Sequence, residues 1–346
     1  MDLLIACGLD LVFGDPHWLP HPVRFIGALI KRLENALHSA IHRLAPTDNH
    51  TGRISRASLE KAAGFVLLSG TAGITVGIAA LLLWAAEKVH PLLFHTVNIY
   101  LLYTSLAAKC LAAEAMKVYR SLTGKNLRKA REQLAMLVGR DTRELPEAEI
   151  IRGVVETTAE NTVDGVLSPL FFALMGSLLG GGWGAVAVYA FKAVSTLDSM
   201  VGYKNEKYLH LGMASARADD LANYIPARIS GMLLPLAAFF TGKSMKNSIR
   251  ILFRDHRNHP SPNSPWPESA VAGALGVRLG GLGRYEGVVV QKPYIGDATR
   301  DFRPEDIPAA VRIMIAAEML FVLAAFAVGA ALTAGTAPAG WGVPTI

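Results

Sequence analysis

Three carboxylates recur at four-residue intervals near the middle of the chain. Glu156, Glu160 and Asp164 would share one face of a helix, with Asn161 beside them. Aligned acids of this kind suit a divalent metal ion or a cationic substrate group, because several negative charges then converge on one point. We therefore predict that the helix around Glu160 carries a functional site.

No neighbouring cation in the sequence balances these acids. Residues 153–191 contain no Lys or Arg, whereas a solvated helix face usually mixes both signs. The acids also run directly into the apolar stretch 166–172. Carboxylates beside apolar sequence are costly unless a metal, a cationic ligand or a distant basic residue meets them. This pattern favours a site at the membrane edge over the alternative, an ordinary solvated acidic face.

A second polar cluster occupies residues 192–228, between two apolar segments. Asp219, Asp220 and Asn223 have a spacing that lets oxygen ligands converge within one helical turn, as Mg²⁺ bound to phosphates requires. Adjacent Asp residues also occur at solvated helix starts, so this signal is weaker than the first. The other polar residues of the cluster are Lys192, Asp198, Lys204, Asn205, Lys207, Arg217 and Arg228.

Two proline-rich loops carry further polar and aromatic groups. In residues 15–24 the prolines exclude a helix, so His17 and His21 cannot form a helical metal-binding pair. Residues 259–268 form a similar loop that contains Trp266. Rigid loops suit the rim of a binding site. A packed turn with satisfied histidines is the alternative for the first loop.

The composition indicates a membrane protein. The chain is 51% hydrophobic and 18% charged, with a mean hydropathy of +0.32, whereas soluble domains carry about 25% charged residues. The net charge of +6 comes from basic residues that flank apolar runs, which fits cytoplasmic loops better than nucleic-acid binding. The two cysteines, Cys7 and Cys110, match no disulfide, zinc or haem pattern, so we expect free thiols.

The predicted fold is all-α, a polytopic integral membrane protein with helical cytoplasmic segments and broken or re-entrant apolar helices. One membrane-embedded domain would cover residues 1–346. The predicted spans are 62–86, 92–113 and 313–332, and the partial or broken apolar segments are 1–13, 166–194 and 229–241. For 166–194, one span and a re-entrant hairpin remain alternatives. Lys and Arg enrichment places segments 14–61, 117–165 and 242–312 in the cytoplasm.

Taken together, several blocks resemble the CobD/CbiB family of cobalamin biosynthesis, the adenosylcobinamide-phosphate synthases. The likeness covers nearly the whole chain, and the order of the blocks is more specific than any one of them. Pro265 stands where the family pattern Asn-Ser-x-Trp-Pro has Gly, and Glu268 stands where a less polar residue is expected. The matching blocks are residues 13–24, 156–172, 195–231, 263–267 and 273–276.

The resemblance implies a bacterial inner-membrane enzyme with its active site facing the cytoplasm. It would join adenosylcobyric acid to (R)-1-amino-2-propanol O-2-phosphate, or to aminopropanol, through an amide bond, with ATP and Mg²⁺ as helpers. ATP would convert the carboxylate to an acyl phosphate, which the amine then attacks. Besides these substrates, the implied partners are membrane lipid and other cobalamin-assembly enzymes, and nucleic acid is not among them.

The resemblance also suggests roles for particular residues. The metal ligands would be Glu156, Glu160, Asp164, Asp219 and Asp220. Glu160, Glu156 and Asp164 would be catalytic, with Glu160 preferred as the base that deprotonates the amine. Trp18 and Trp266 would be flat walls for the corrin ring. The expected substrate- and phosphate-binding residues are Asp15, His17, His21, Arg24, Asn161, Lys204, Asn205, Lys207, Arg217, Asn223, Arg228 and Trp266.

Two other classes of protein fit the same features. A membrane transporter for corrinoids or cations would also have intramembrane acids and broken apolar segments, although the sequence shows no internal repeat. A catalytically silent membrane regulator would keep the fold without the chemistry. The complete acid sets of both polar clusters favour the enzyme.

Overall fold

The computed structural model describes residues 1–16, 18–44, 55–180, 182–203, 205–285 and 288–335, without the side chains of residues 284, 285 and 331–335. His17 and Lys204, both predicted to bind substrate or phosphate, lie outside the described residues.

The described chain is a helical assembly with one β-hairpin, which confirms the all-α prediction. The helices are α1 Asp2–Phe13, α2 Pro22–Leu44, α3 Arg56–Val89, α4 Pro91–Tyr103, α5 Ala108–Thr123, α6 Leu127–Leu134, α7 Glu147–Thr162, α8 Ser168–Ser177, α9 Trp183–Val201, α10 Met213–Ala222, α11 Tyr224–Phe240, α12 Met245–Asp255, α13 Pro265–Leu275 and α14 Asp306–Gly335. The strands are β1 Arg278–Tyr285 and β2 Val288–Gly296.

Three stretches are long and apolar enough to cross a membrane: Arg56–Val89, Pro91–Thr123 and Asp306–Ala330. The first, α3, is capped at Ser55, whose side chain accepts a hydrogen bond from the backbone of Ser58 at 3.3 Å. Along α3, large apolar side chains such as Phe65 and Leu81 are exposed, as expected for a helix surrounded by lipid. The protein is therefore a helical membrane protein.

The second stretch is not one continuous helix. Residues 104–107 separate α4 from α5, within the predicted span 92–113. At the break, the carboxylate of Asp10 accepts hydrogen bonds from the backbone N–H groups of Ala108 at 3.1 Å and Lys109 at 3.4 Å. A side chain from α1 thus caps α5, whose own N-cap residue, Ala107, has no side-chain acceptor. The sequence prediction missed this interruption because it came from hydropathy alone.

The apolar segment 166–194 forms a helical hairpin. Helix α8 packs against α9, and the turn between them contains Gly180 and Gly182, both with positive φ. A π-helical turn, Val163–Leu167, joins α7 to α8. Such turns insert one extra residue into a helix and are frequent at functional sites. The segment thus has the two packed helices of a hairpin, and re-entry of this hairpin into the membrane stays a prediction.

Two hydrophobic cores hold the helices together. One contains residues of α2, α3, α4 and α9, and the other contains residues of α5, α7, α11, α13 and α14. Helix α7 belongs to the core of α5, α11, α13 and α14, and the π turn and α8 then lead the chain to the core of α2, α3, α4 and α9. The end of α7 and the end of α9 therefore lie where the two cores meet, and this is where the acidic side chains gather.

The hairpin of β1 and β2 is antiparallel, with its base buried and much of its length exposed. Leu279 pairs with Ile295, and both are fully buried, whereas Val288 and Val289 near the turn are exposed. The register shifts between Leu279 and Gly281, so Gly280 forms a bulge with φ of 80°.

Candidate active site

Two cavities of about 400 and 630 Å³ share the side chains of Glu160, Asp164, Asp198 and Lys292. We call the two together the acidic chamber. Its walls come from α7, the π turn, α9, α10, α13, the 259–264 loop and β2. The carboxylates that line it are Glu156, Glu160, Asp164, Asp198, Asp219, Asp220 and Glu268.

One wall of the acidic chamber is the predicted stripe of acids. Glu156, Glu160 and Asp164 all line the same cavity, as their four-residue spacing predicted, and Asn161 lines it too. Glu156 and Glu160 lie on α7, whereas Asp164 lies on the π turn. Asn161 donates to the carbonyl oxygen of Thr157 at 2.8 Å, which leaves its side-chain oxygen for another partner.

Glu156 is balanced by two arginines, Arg140 from a distant segment and Arg152 from the preceding turn of α7, so a basic residue meets this acid as the sequence argument allowed. Arg140 donates to Oε2 of Glu156 at 3.2 Å, and Nε of Arg152 lies 3.8 Å from Oε1. The backbone N–H of Gly280 also donates to Oε1, at 2.8 Å. Both carboxylate oxygens of Glu156 thus contact protein groups. Glu156 is therefore poorly placed as a metal ligand, and it fastens the hairpin to α7.

Glu160 and Asp220 are linked to the second proline-rich loop. Ser264 donates its hydroxyl to Oε1 of Glu160 at 2.8 Å, and Asn263 donates to the carbonyl oxygen of Asp220 at 2.8 Å. The side-chain oxygen of Asn263 accepts from Arg228 at 2.9 Å. The Asn-Ser pair of this loop therefore fixes its position against both acidic clusters.

Asp219 is held by a short chain of hydrogen bonds. Ser168 donates to Oδ1 of Asn223 at 2.6 Å, and Nδ2 of Asn223 donates to Oδ2 of Asp219 at 2.9 Å. Oδ1 of Asp219 is buried and has no hydrogen-bond partner among the described residues. Such an orphaned oxygen is costly unless a proton or a cation binds it.

Burial and mutual repulsion raise the pKa of several chamber acids. The pKa of Asp219 is raised to about 7, and that of Asp198 to about 6, mainly because burial disfavours the charged form. Burial also raises the pKa of Asp164, which the negative charges of Asp219 and Glu160 raise further. The pKa of Glu268 is raised for the same reasons. Near neutral pH the chamber thus binds protons readily, and a cation would displace them.

The donors of the acidic chamber fit Mg²⁺ in type. The orphaned Oδ1 of Asp219 is one such donor, and the neighbouring groups are carboxylates. Within the described ranges, no three His, Cys, Asp or Glu side chains form a group that could hold a metal ion by themselves. Mg²⁺ in phosphate-handling sites commonly uses one or two carboxylates plus substrate phosphates and water, so it needs no complete protein cage.

A separate cavity of about 760 Å³, which we call the aromatic cleft, adjoins the acidic chamber. The guanidinium of Arg228 stacks 3.4 Å from the ring centre of Tyr224 and lies 5.0 Å from that of Trp266. His259, Pro260 and Ser261 line both the cleft and the chamber. Burial and nearby Lys292 lower the pKa of His259 to about 4, so it is neutral at pH 7.

Several predicted site residues lie elsewhere in the molecule. Lys207 is bound to Glu34 at 2.7 Å, and Arg217 is exposed on α10, so neither lines the chamber or the cleft. Asn205 lines the chamber.

The described residues of the first proline-rich loop line neither cavity. His21 lies 3.5 Å from Asp15, and neither of them, nor Arg24 or Trp18, lines the chamber or the cleft. Tyr100 and Tyr103 donate their hydroxyls to backbone carbonyls at Pro20 and Gly14, which hold this loop against α4. Trp18 is 81% exposed. Trp18 and Trp266 line no common cavity among those described, and their pairing as walls for the corrin ring stays a prediction.

Sequence reasoning left some chamber residues out of the site. Asp198 was noted only as part of a polar cluster, and Glu268 only as a departure from a pattern. Lys292 on β2 and Ser264 were not considered. The absence of a Lys or Arg near Glu268 is the sequence signal that could have included this residue.

Fold and site together define a helical membrane protein with a carboxylate-lined chamber where its two cores meet. A model of the CobD/CbiB protein family matches residues 3–314. The chain belongs to the CobD/CbiB family, which assigns it a role in cobalamin biosynthesis.

Curated relatives match the chain over most of its length. A cobalamin biosynthesis protein CobD of Geobacter metallireducens is 47% identical over 96% of this chain and 97% of its own length. A CobD of Klebsiella pneumoniae is 46% identical over 91% and 93%. A cobalamin biosynthesis protein CbiB of Salmonella typhimurium is 45% identical over the same shares. No solved structure matches the chain.

Proposed function

We propose that this protein forms the amide bond between adenosylcobyric acid and (R)-1-amino-2-propanol O-2-phosphate, or aminopropanol, at the bacterial inner membrane. The product would be adenosylcobinamide phosphate, and ATP and Mg²⁺ would take part. The observation that carries this proposal is the adjacency of a carboxylate-lined chamber to a cleft lined by arginines and aromatic rings. Such a pair of sites suits a reaction that combines a cationic amine with phosphate groups.

The bond changes can be balanced without any other reactant. The substrate carboxylate attacks the γ-phosphorus of ATP, which gives an acyl phosphate and ADP. The amine nitrogen then attacks the acyl carbon, the C–O bond to phosphate breaks, and inorganic phosphate leaves. Mg²⁺, when bound, would neutralise the phosphates so that an anionic carboxylate can approach them.

The chamber acids would bind and deprotonate the amine. An ammonium group enters an acidic chamber more readily than a neutral one, but it must lose a proton before its nitrogen can attack. Glu160, oriented by Ser264, is our preferred base. Asp219 is an alternative, because a base with a pKa near the working pH is the most effective. Asp164 and Asp198 would share the proton that is removed.

Reconstitution tests this proposal directly. Detergent-purified protein is incubated with adenosylcobyric acid, aminopropanol phosphate, ATP and Mg²⁺, and the amide is detected by mass. We expect one ADP per amide, and no amide when any one component is omitted. Amide formation without ATP would overturn the acyl phosphate, and corrinoid uptake into proteoliposomes without amide formation would favour a transporter.

A further inference from the structure

The walls of the aromatic cleft are basic, in contrast to those of the acidic chamber. Its lining includes the guanidinium groups of Arg228 and Arg257, and no Asp or Glu is among the described residues that line it. Arg257 is exposed at the cleft. An anion that approaches this surface therefore meets two guanidinium groups and no opposing carboxylate. Guanidinium groups bind phosphate oxygens in a bidentate manner.

Arg228 differs in its partners from three other arginines whose side chains are buried or partly buried. Arg140, Arg152 and Arg300 each contact a carboxylate within 4 Å. Among the described residues, the hydrogen-bond acceptors of Arg228 are neutral: the carbonyl oxygen of Tyr224 at 2.8 Å and the side-chain oxygen of Asn263 at 2.9 Å. Burial lowers the pKa of Arg228 without an acid to offset the effect. A half-buried guanidinium of this kind gains most from an incoming anion.

The aromatic wall of the cleft is rigid. Trp266 packs on α11, where a Cβ at Gly231 would lie 2.8 Å from its Cε3. The ring of His256 lies 4.7 Å from that of Trp266. Since Trp266 is fixed from two sides, it offers a flat apolar surface at little cost in conformational entropy.

We propose that the aromatic cleft binds a phosphate-bearing substrate, with the phosphate on Arg228 and Arg257 and the organic part against Trp266. The inference rests on the proposed function for its choice of ligands. Two of those ligands share the required chemistry, namely ATP and the aminopropanol phosphate. Binding of either would make Trp266 a wall of the phosphate site instead of the corrin site.

Separation of charge explains why the phosphate would bind in the cleft and not in the chamber. The chamber carries several carboxylates, which repel an anion, and Lys292 is the cation common to both of its cavities. His259, Pro260 and Ser261 form the wall shared by the cleft and the chamber. A ligand held by its phosphate in the cleft can therefore extend its reactive end past this wall to the acids.

Equilibrium binding to the detergent-purified full chain tests the inference. The probes are a non-hydrolysable ATP analogue with Mg²⁺ and (R)-1-amino-2-propanol O-2-phosphate, each titrated by calorimetry. The variants are Arg257→Gln, which alters an exposed side chain, and Arg228→Lys, which keeps the charge but loses the planar fork. Lys246→Gln removes one exposed charge from α12, away from the cleft, and is the matched control.

Both cleft variants should bind the same one of the two probes with an affinity about tenfold or more below that of the wild type, as loss of a charge-assisted contact requires. Lys246→Gln should bind both probes with the affinity of the wild type. The weakened probe identifies the ligand. Wild-type affinity of both cleft variants for both probes would overturn the inference, and so would a wild type that binds neither probe. Amide formation by the wild type is measured separately. Failure of this inference therefore leaves the proposed function standing, and failure of amide formation leaves the binding result standing.

Discussion

At the scale of single residues, Glu156 of the acid stripe and Asp219 across the chamber have different tasks. Glu156 meets Arg140, Arg152 and the hairpin backbone, whereas Asp219 across the chamber keeps one buried oxygen without a protein partner. The first arrangement is satisfied by the protein itself and stabilises the fold. The second is satisfied only by a proton or a ligand. Stability and ligand binding therefore depend on different carboxylates.

Replacement of Glu156 by Gln should destabilise the protein by about 3 kcal/mol, because it leaves buried Arg140 without its carboxylate. Thermal unfolding in detergent measures the effect. Glu132→Gln, which breaks an exposed pair with Arg128 on α6, is the control and should cost less than about 1 kcal/mol. An unchanged melting temperature for Glu156→Gln, together with lost activity, would place Glu156 in the chemistry instead.

The raised pKa of Asp219 predicts how stability depends on pH. Between its ordinary value of 3.8 and about 7, the folded state binds more protons than the unfolded state, so this contribution to stability is lost as pH rises through that window. Asp219→Asn removes the titration. We expect the variant to melt a few degrees higher than the wild type at pH 8 without Mg²⁺, and the difference to shrink by pH 5. A constant difference across this range would contradict the assigned pKa.

At the scale of elements, α7 and the β-hairpin act as one unit. The backbone N–H of Gly280 donates to Glu156, and β2 then brings Lys292 to the chamber. The sequence predicted the shared face of Glu156, Glu160 and Asp164 because helical spacing is a local property. It did not predict Arg140 as the partner of Glu156, or Lys292 in the chamber, because both contacts depend on how distant segments pack.

Gly280→Ala should separate the hairpin from the chamber. The φ of 80° at this bulge disfavours a side chain, and a Cβ there would overlap the carbonyl oxygen of Pro293. We expect faster proteolysis of the hairpin and at least tenfold lower activity. Gly77→Ala on α3, where a Cβ meets nothing within 4 Å, is the control. Wild-type proteolysis and activity of Gly280→Ala would show that the hairpin tolerates the change.

At the scale of the whole molecule, the chamber lies where the two hydrophobic cores meet. Composition and hydropathy predicted an all-α membrane protein, because apolar length is readable from sequence. They did not show that the loop at residues 15–24 packs against α4, away from the loop that carries Trp266. Both loops are rigid and aromatic, so sequence alone made them look like parts of one pocket. Only tertiary packing separates them.

The proposed orientation places the 242–312 segment in the cytoplasm and the turn between α3 and α4 outside. After replacement of Cys7 and Cys110 by Ala, single cysteines at exposed Lys88 and Asn258 test this. In intact cells with a permeabilised outer membrane, an impermeant maleimide should label Lys88→Cys at once and Asn258→Cys only after lysis. The reverse pattern would invert the topology.

The most direct test of the central claim is the rate of amide formation by Glu160→Gln. Glu160 lines both cavities of the acidic chamber, and the substitution keeps its size while it removes the charge and the base. We predict a loss of about 100-fold or more in kcat, with Glu132→Gln at the wild-type rate and the melting temperature of both variants close to that of the wild type. Formation of the amide by Glu160→Gln at the wild-type rate would show that the acidic chamber is not where the bond is made.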